Sequence, residues 1–445
     1  MNAKVSVILP SLNVANYIRE CMDSVIHQSM QDLEIICVDA GSTDGTREIL
    51  NEYAEKDSRI ILLHSDIRSY GRQVNMGLNY ASGEYIAVLE TDDWIAPDMY
   101  HCLYEYAKDK QLDYAAADFD MFYQLQSGAY YFTRHHLFAP DMQEWYGKIL
   151  DSDQIATLRS TDYVLWRGIY NRKFLDDNHI RLHESPGAAF QDMGFLQQVK
   201  TYAKKAVYID QSFYRYRQDR EEASSHGLNG LQCYMEEFCW INEELKLDQM
   251  LKEIHKDYYF FTMSISFISK YEQILTKLNG DWQDTRLSIP YLWFREQMLY
   301  AMDCGYLKEN MYGGELWKKF LLLLESPESY VRLVMEKVQG ERDLVQRFSK
   351  LIKGEPVVIF GCGIRGERLM LFCDRHKIRI SSFCDNNTAL YGEKKFGFPI
   401  ISPYDIKEEI ILLSMKNGWE QVRNQLLEMG IKSDRIIEQI PEGIV

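Results

Sequence analysis

Long apolar runs are what this 445-residue chain most plainly lacks. Its most apolar central window, Tyr258 to Ile268, is about half a bilayer span and is interrupted by polar residues. Membrane contact is therefore expected to be peripheral at most. A cysteine framework is missing too: nine cysteines are scattered from Cys21 to Cys384 without a CxxC pair, which reads as reduced, buried thiols in a cytosolic protein. Positive charge is scarce. Fifty Lys and Arg against 66 Asp and Glu leave a net charge of −16, so nothing here would neutralise a nucleic-acid backbone, and nucleic acid is excluded as a general partner. A phosphorylated small substrate is not excluded, because a divalent metal bridges acidic side chains to phosphates. There is no tandem repeat and no low-complexity stretch. Met1-Asn2-Ala3-Lys4 runs straight into a strand-like segment, so no signal peptide is expected, and the expected location is cytoplasmic or at the inner face of the membrane.

What is present is ordinary for a globular protein, with 46% hydrophobic and 26% charged residues. The length exceeds what one core usually serves, so two or three domains are expected. Val5 to Leu9 is a short apolar run, followed by Ile18, Cys21, Met22, Val25 and Ile26 at helical spacing. Glu34 to Val38, Ile60 to Leu63 and Tyr85 to Leu89 read as further strands. Between them lie a helix carrying Ile49, Leu50 and Tyr53, capped by Ser42 or Thr43, and another over Val74 to Ala81. This alternation predicts a parallel sheet covered on both faces, with ligands at the carboxyl ends of its strands. Leu112 to about Tyr216 is mixed and aromatic, and residues 219–353 read as a helical connector or bundle. Glu355-Pro356 then breaks the pattern before Val357 to Phe360 opens a second strand–helix region. The expected domains are 1–218, 219–353 and 354–445.

Chemistry concentrates after the fourth strand, where Glu90, Asp92 and Asp93 place three carboxylates in four residues. A solvated loop is one reading. The other is a metal site, since like charges this close repel unless a cation or hydrogen-bond donors compensate, and carboxylates with substrate phosphates commonly hold magnesium or manganese.

The run Val5-Ser6-Val7-Ile8-Leu9-Pro10, Asn13, Val38-Asp39, Gly41-Ser42-Thr43-Asp44-Gly45, Asn75-Met76-Gly77-Leu78, Gly83-Glu84-Tyr85-Ile86 and Leu89-Glu90-Thr91-Asp92-Asp93-Trp94 before Pro97-Asp98 resembles a family 2 glycosyltransferase. The spacing agrees over about a hundred residues, far more than a single short motif offers. The resemblance implies an α/β domain of the GT-A fold, of the bacterial capsular or surface-polysaccharide type. It implies a nucleotide-sugar donor, Mg2+ or Mn2+, and a glycan or lipid-linked acceptor. By position, Asp39 would contact the nucleotide base or ribose, Asp92 would ligate the metal, and Glu90 would reach the ribose or a metal-bound water. Pro10, Asn13 and Asp93 join the donor set. Three departures stand out: Ala40 replaces a usual second Asp, Glu90 a usual Asp, and Leu12 a frequent Tyr. Val74 stands where an Arg is usual, and Arg72 nearby is the candidate substitute.

Inverting transfer needs no protein nucleophile, only a general base for the acceptor hydroxyl. Asp192, in Gln191-Asp192-Met193-Gly194-Phe195 after Ser185-Pro186-Gly187, opens a helix and is the candidate. A first-turn aspartate favoured by the helix dipole is the plainer reading. In related enzymes a Glu-Asp pair stands here with its Asp as base; Gln191 replaces the Glu. Arg215 and Arg217 share one strand face as a phosphate clamp or as paired charges on an edge strand. Trp166-Arg167-Gly168 lines the acceptor cleft or is buried, buried being the commoner fate of such a Trp. His135, His136, His179 and His183 lack metal-site spacing and read as structural or surface residues.

The C-terminal region adds Gly361-Cys362-Gly363-Ile364-Arg365-Gly366 after an apolar strand, with Asp385 ending the next one. That is the dinucleotide fingerprint in context, and it resembles the small Rossmann-like nucleotide-binding modules attached to enzymes of surface-polysaccharide pathways. The same glycines also permit tight strand–helix packing around an empty site. The leading functional reading is an inverting, metal-dependent glycosyltransferase. The alternatives are an NAD(P)-dependent sugar-nucleotide oxidoreductase or epimerase run from the C-terminal unit, and a non-catalytic nucleotide- or glycan-binding scaffold.

Overall fold

A computed structural model describes residues 3–220, 227–438 and 440. The chain divides into two compact units, Met1–Met121 with Thr133–Arg332, and Phe122–Phe132 with Leu333–Val445.

The first unit begins with β1 (Val5–Ser11), α1 (Ile18–Ile26), β2 (Leu33–Asp39), α2 (Thr46–Ala54), β3 (Ile60–His64), α3 (Tyr70–Tyr80) and β4 (Tyr85–Val88). β1 pairs in parallel with β2 on one side and β4 on the other, and β2 with β3. Successive side chains enter different cores, as the two-residue period requires. Val7, Leu9, Ile35, Cys37 and Ala87 join one cluster, while Ile8, Ile36, Val38, Ile86 and Val88 join the other. Burial on both faces explains why these strands read as unbroken apolar runs.

Beyond β4 the sheet is no longer parallel. The chain continues through β5 (Trp94–Ile95), α4 (Met99–Ala107), β6 (Tyr114–Gln124), β7 (Tyr130–His135), α5 (Ser152–Thr157), β8 (Gly168–Asn171), α6 (Arg172–Asp177), α7 (Gln191–Tyr202) and β9 (Ala206–Arg217). The strand order is β3-β2-β1-β4-β8-β6-β9-β5, with β7 paired to β6. β8 runs antiparallel to both β4 and β6, and β5 antiparallel to β9. The parallel sheet expected from the strand–helix rhythm is therefore half of a mixed one. Two helix starts also differ from expectation. Ser69, whose side chain accepts the Arg72 N–H, starts α3 ahead of Val74. Neither Ser42 nor Thr43 caps α2: Gly45 in the left-handed region precedes it, and the Asp44 carboxylate accepts from Thr46.

A helical region completes this unit: α8 (Gly230–Cys239), α9 (Leu247–Met250), α10 (Glu253–Lys277), α11 (Thr285–Asp303), α12 (Glu309–Tyr312), α13 (Gly314–Glu325) and the start of α14 (Pro327–Ile352), with a π-helical turn at Trp240–Glu244. Aromatic packing holds it, as where Phe267 of α10 stacks on Phe294 of α11 with centroids 3.9 Å apart. Among the described residues no helix is long and apolar enough to cross a membrane.

The second unit contains β10 (Val357–Phe360), α15 (Ile364–Arg375), β11 (Ile380–Cys384), β12 (Lys394–Lys395), β13 (Phe398–Ile401), β14 (Ile410–Leu413), α16 (Trp419–Glu428) and β15 (Ile436–Ile437). Its strand order is β12-β13-β11-β10-β14-β15, with every pairing parallel except β12 to β13. The tip of the β6–β7 hairpin belongs to this unit. Leu125 lies in its core with Val357, Ile359 and Leu369, and Gln126 bonds to Asp374, Ile378 and Ile380.

Candidate active site

β4 delivers the acidic turn, and the fates of its three carboxylates differ. Asp93 is buried and fully engaged: one oxygen accepts from the Tyr214 hydroxyl at 2.8 Å, the other from the Arg217 main-chain N–H at 2.7 Å. Burial, with the charge of Asp92 beside it, pushes its pKa well up. Asp92 is half-buried, and its Oδ2 pairs with Arg220 at 2.9 Å. Its main-chain carbonyl accepts from Arg217 Nε at 2.9 Å. Glu90 accepts from the Tyr70 hydroxyl at 2.5 Å. Burial pushes Glu90 up to about 8, opposed by the Tyr70 hydrogen bond and reinforced by the charges of Asp92 and Asp192. Thr91 ties the turn to the Pro10 carbonyl at 2.9 Å. Of the three, only Asp93 is buried by its exposed area; Glu90 and Asp92 are partly exposed.

The loops after β1 and β2 are knitted together by Asn13. It adopts φ 52°, its side chain accepts the Thr43 N–H at 2.9 Å, and its own N–H donates to the Ser42 hydroxyl at 3.0 Å. Asp39 ends β2, buried, accepting from the Gly41 and Ser42 N–H groups, with His64 Nδ1 4.0 Å away. A pocket here is lined by Cys37, Asp39, Arg47, Asn51 and His64 among others. Arg72 reaches Glu184 at 3.4 Å, while its Nε is buried without a partner among the described residues.

Asp192 opens α7 behind Phe190, which stands at φ 70°. Its carboxylate accepts from the Met193 N–H at 2.9 Å, and burial pushes it up to about 6. Gln191, buried, donates to the Ser185 hydroxyl at 2.8 Å and holds the 185–187 turn. That turn docks on α3, where the Tyr70 N–H donates to the Gly187 carbonyl at 2.8 Å. The result brings Asp192 within electrostatic reach of Glu90, Tyr70 and Tyr216. Residues far apart in sequence thus come near one another.

The two arginines on β9 part company. Arg217 reaches the acidic turn and pairs with Glu20 at 2.7 Å, whereas Arg215 pairs with Asp120 on β6 at 3.0 Å and stands over the Trp94 ring. Arg220, just past the strand, is the cation on Asp92. Nothing in the motif spacing singles it out, although the basic run from Arg215 to Arg220 is a signal that could have. Trp166 is buried, stacked on Tyr214 at 4.0 Å between centroids, and Arg167 is buried among Asp118 and Asp162. Their fate is the core. Asp118, His136 and Asp210 form a possible three-ligand metal cluster, but Arg134 and Arg167 already supply positive charge to its carboxylates.

In the second unit, Gly361 adopts φ 108°, and a Cβ on Gly366 would collide with the Gly361 carbonyl. These glycines permit α15 to pack on β10. Asp385 accepts from the Cys362 N–H at 3.0 Å and the Asn387 N–H at 3.0 Å, and Lys395 donates to the Cys362 carbonyl. Gly363, by contrast, has open space where a Cβ would stand.

Residues 6–177 match the family model for glycosyl transferase family 2, and residues 354–437 match one described as C2185-like, N-terminal. Glycosyltransferase GlyA of Streptococcus pneumoniae serotype 4 is 31% identical over 222 residues, 48% of this chain but only 30% of that protein. Glycosyltransferase GlyG of the same organism is 27% identical over 224 residues, 49% of this chain and 71% of its own length. A solved structure of S. aureus TarS, residues 1–349, superposes with a TM-score of 0.48 at 16% identity, over 76% of this chain and 92% of that one. The region matching the glycosyl transferase family 2 model falls mostly in the first unit, an α/β fold on a mixed sheet.

Proposed function

We propose that the chain is an inverting, metal-dependent glycosyltransferase of the GT-A type. It would move a sugar from a nucleotide-diphospho-sugar to a glycan or lipid-linked acceptor in cell-surface polysaccharide synthesis, at the cytoplasmic side of the membrane. One observation carries this reading: the acidic turn after β4 lies within electrostatic reach of Asp192 on α7, with Arg217 and Arg220 held to that turn.

Asp92 fits a divalent cation, Mg2+ or Mn2+. It is partly exposed, it is paired only through Oδ2 among the described residues, and its partner there is the cation Arg220. When bound, the metal supplies positive charge against the departing diphosphate. The remaining steps belong to the protein. Arg217 and Arg220 bind phosphate oxygens, with Arg220 exchanging Asp92 for the donor. Pro10, Asn13 and Asp39 shape the nucleotide side, Arg72 stands at its edge, and Glu90 reaches the ribose. Asp93 acts by fixing Tyr214 and Arg217, and Arg215 by bracing β9. Asp192 takes the proton of the acceptor hydroxyl as the new oxygen–carbon bond forms. The bond from the anomeric carbon to the diphosphate breaks with its electron pair, and configuration inverts.

The C-terminal unit is proposed as a Rossmann-like module in which Gly361, Gly363, Gly366 and Asp385 border a nucleotide site. Its catalytic use as an oxidoreductase has no support in the site described. The main reading is tested by screening nucleotide sugars for Mn2+- or Mg2+-dependent thermal stabilisation and hydrolysis. A chain that responds to none of them, with or without metal, would overturn it.

A further inference from the structure

We infer that His183, held by Glu237 and Trp240, forms a subsite that hydrogen-bonds a hydroxyl of a neutral pyranose acceptor; this rests on the glycosyl-transfer reading above. His183 carries no special signal in the sequence. In the fold its Nδ1 meets Glu237 Oε2 at 3.1 Å, and its ring lies flat on Trp240, centroids 4.7 Å apart and planes 2° from parallel. An ionised carboxylate only accepts, so Nδ1 carries a hydrogen and Nε2 is the nitrogen left to hydrogen-bond a ligand. Nε2 has no hydrogen-bond partner among the described residues, and the side chain is 25% exposed. A surface histidine needs no such support. Here a buried carboxylate holds Nδ1 and an indole lies against the ring.

The placement points to the acceptor. The His183 carbonyl packs against Gly71, neighbour of Tyr70, whose hydroxyl holds Glu90. Glu237 packs against Gly194, two positions after Asp192 on α7. Burial raises the Glu237 pKa, and the charge of Asp192 adds to the rise. The main chain of His183 therefore touches α3 and the Glu237 side chain touches α7, the helix that bears Asp192. Charge decides the ligand class. Asp192, Glu184 and Glu237 are all acidic, and the nearby Arg72 is paired with Glu184. An anionic acceptor would be repelled here, whereas a sugar hydroxyl, donor and acceptor alike, hydrogen-bonds Nε2 without a charge penalty.

The test uses the full chain labelled with 5-fluorotryptophan, the Trp240 resonance being assigned with Trp240→Phe. Methyl glycosides of glucose, galactose and N-acetylglucosamine are titrated, with sorbitol 6-phosphate as the anionic comparison. The expected result is that at least one methyl glycoside shifts the Trp240 signal. His183→Ala and Glu237→Gln should each weaken that binding about tenfold, the scale of one lost hydrogen bond, while Mn2+-dependent binding of nucleoside diphosphates stays unchanged. The proposal is overturned if no glycoside moves Trp240, if sorbitol 6-phosphate does so instead, or if His183→Ala keeps wild-type affinity. Should Glu237→Gln fail to fold, His183→Ala alone decides. Absence of nucleoside-diphosphate binding in the wild-type chain would sink the glycosyl-transfer reading separately, since glycoside binding at Trp240 is read without a donor.

Discussion

Removing the Asp92 carboxylate would leave the donor diphosphate poorly neutralised and would free Arg220. Asp92→Ala should lose about a hundredfold or more in donor turnover, and full activity of that variant in a chelator would remove the metal assignment. Asp192, the proposed base, has the complementary part on the acceptor side. A base acts only in the transition state, so Asp192→Asn should keep nucleotide-sugar affinity by calorimetry while transfer collapses. Burial places its pKa at about 6, and a base works only when deprotonated. Transfer should therefore rise with pH up to about 6 and level off above it, falling about tenfold per unit below. A profile without that limb, at saturating metal, would assign the proton to another group.

At the scale of elements, the site depends on α3 and α7 being pinned together by the 182–187 segment. Asn75 holds Leu182 through both its main-chain groups, at 2.8 and 2.9 Å, and a Cβ on Gly71 would strike the His183 carbonyl. Backbone cannot yield there as a side-chain tip can. Gly71→Ala should cost about 1–3 kcal/mol, read by urea denaturation, and should impair turnover beyond the loss of folded protein; an unchanged midpoint would show that the segment shifts freely. Much of this architecture is legible in the residues. The strands β1 to β4, β10 and β11 follow their apolar runs to within a residue or so, because burial on both faces leaves little ambiguity. The acidic turn and Asp192 can be named because a strand end and a helix start are local features. What local pattern does not convey is environment: Asp93 is buried while Asp92 is partly exposed, and Arg215 and Arg217 find different acids. His183 is opaque for the same reason, since its partners Glu237 and Trp240 lie more than fifty residues on.

For the whole molecule, the second unit is not a simple C-terminal appendage, because it includes Phe122–Phe132. Cutting the chain after Lys353 removes β10 to β15 and strips Leu125 of Val357, Ile359 and Leu369. The shortened protein should retain the first unit's core and, if the transfer chemistry lies there, its donor hydrolysis. It should also expose apolar surface at the hairpin tip and aggregate. Replacing residues 123–131 by a short turn in the same fragment should restore solubility, measured by light scattering. A fragment that is monodisperse without that replacement would show the tip to be indifferent to its partner. Gly363→Val in the full chain addresses the other role of this unit, since open space at that position leaves folding unaffected while a nucleotide phosphate would meet the new side chain.

That hairpin also bears on how such a chain can be recombined. A cassette running from residue 354 to the end looks transferable on paper, with a proline at its border and a self-contained sheet. Its core, however, borrows a leucine, and its strand edges borrow a glutamine, from a loop more than two hundred residues upstream. Moving the cassette to another host, or trading it for a different one, therefore means rewriting a second, distant stretch of the gene in step.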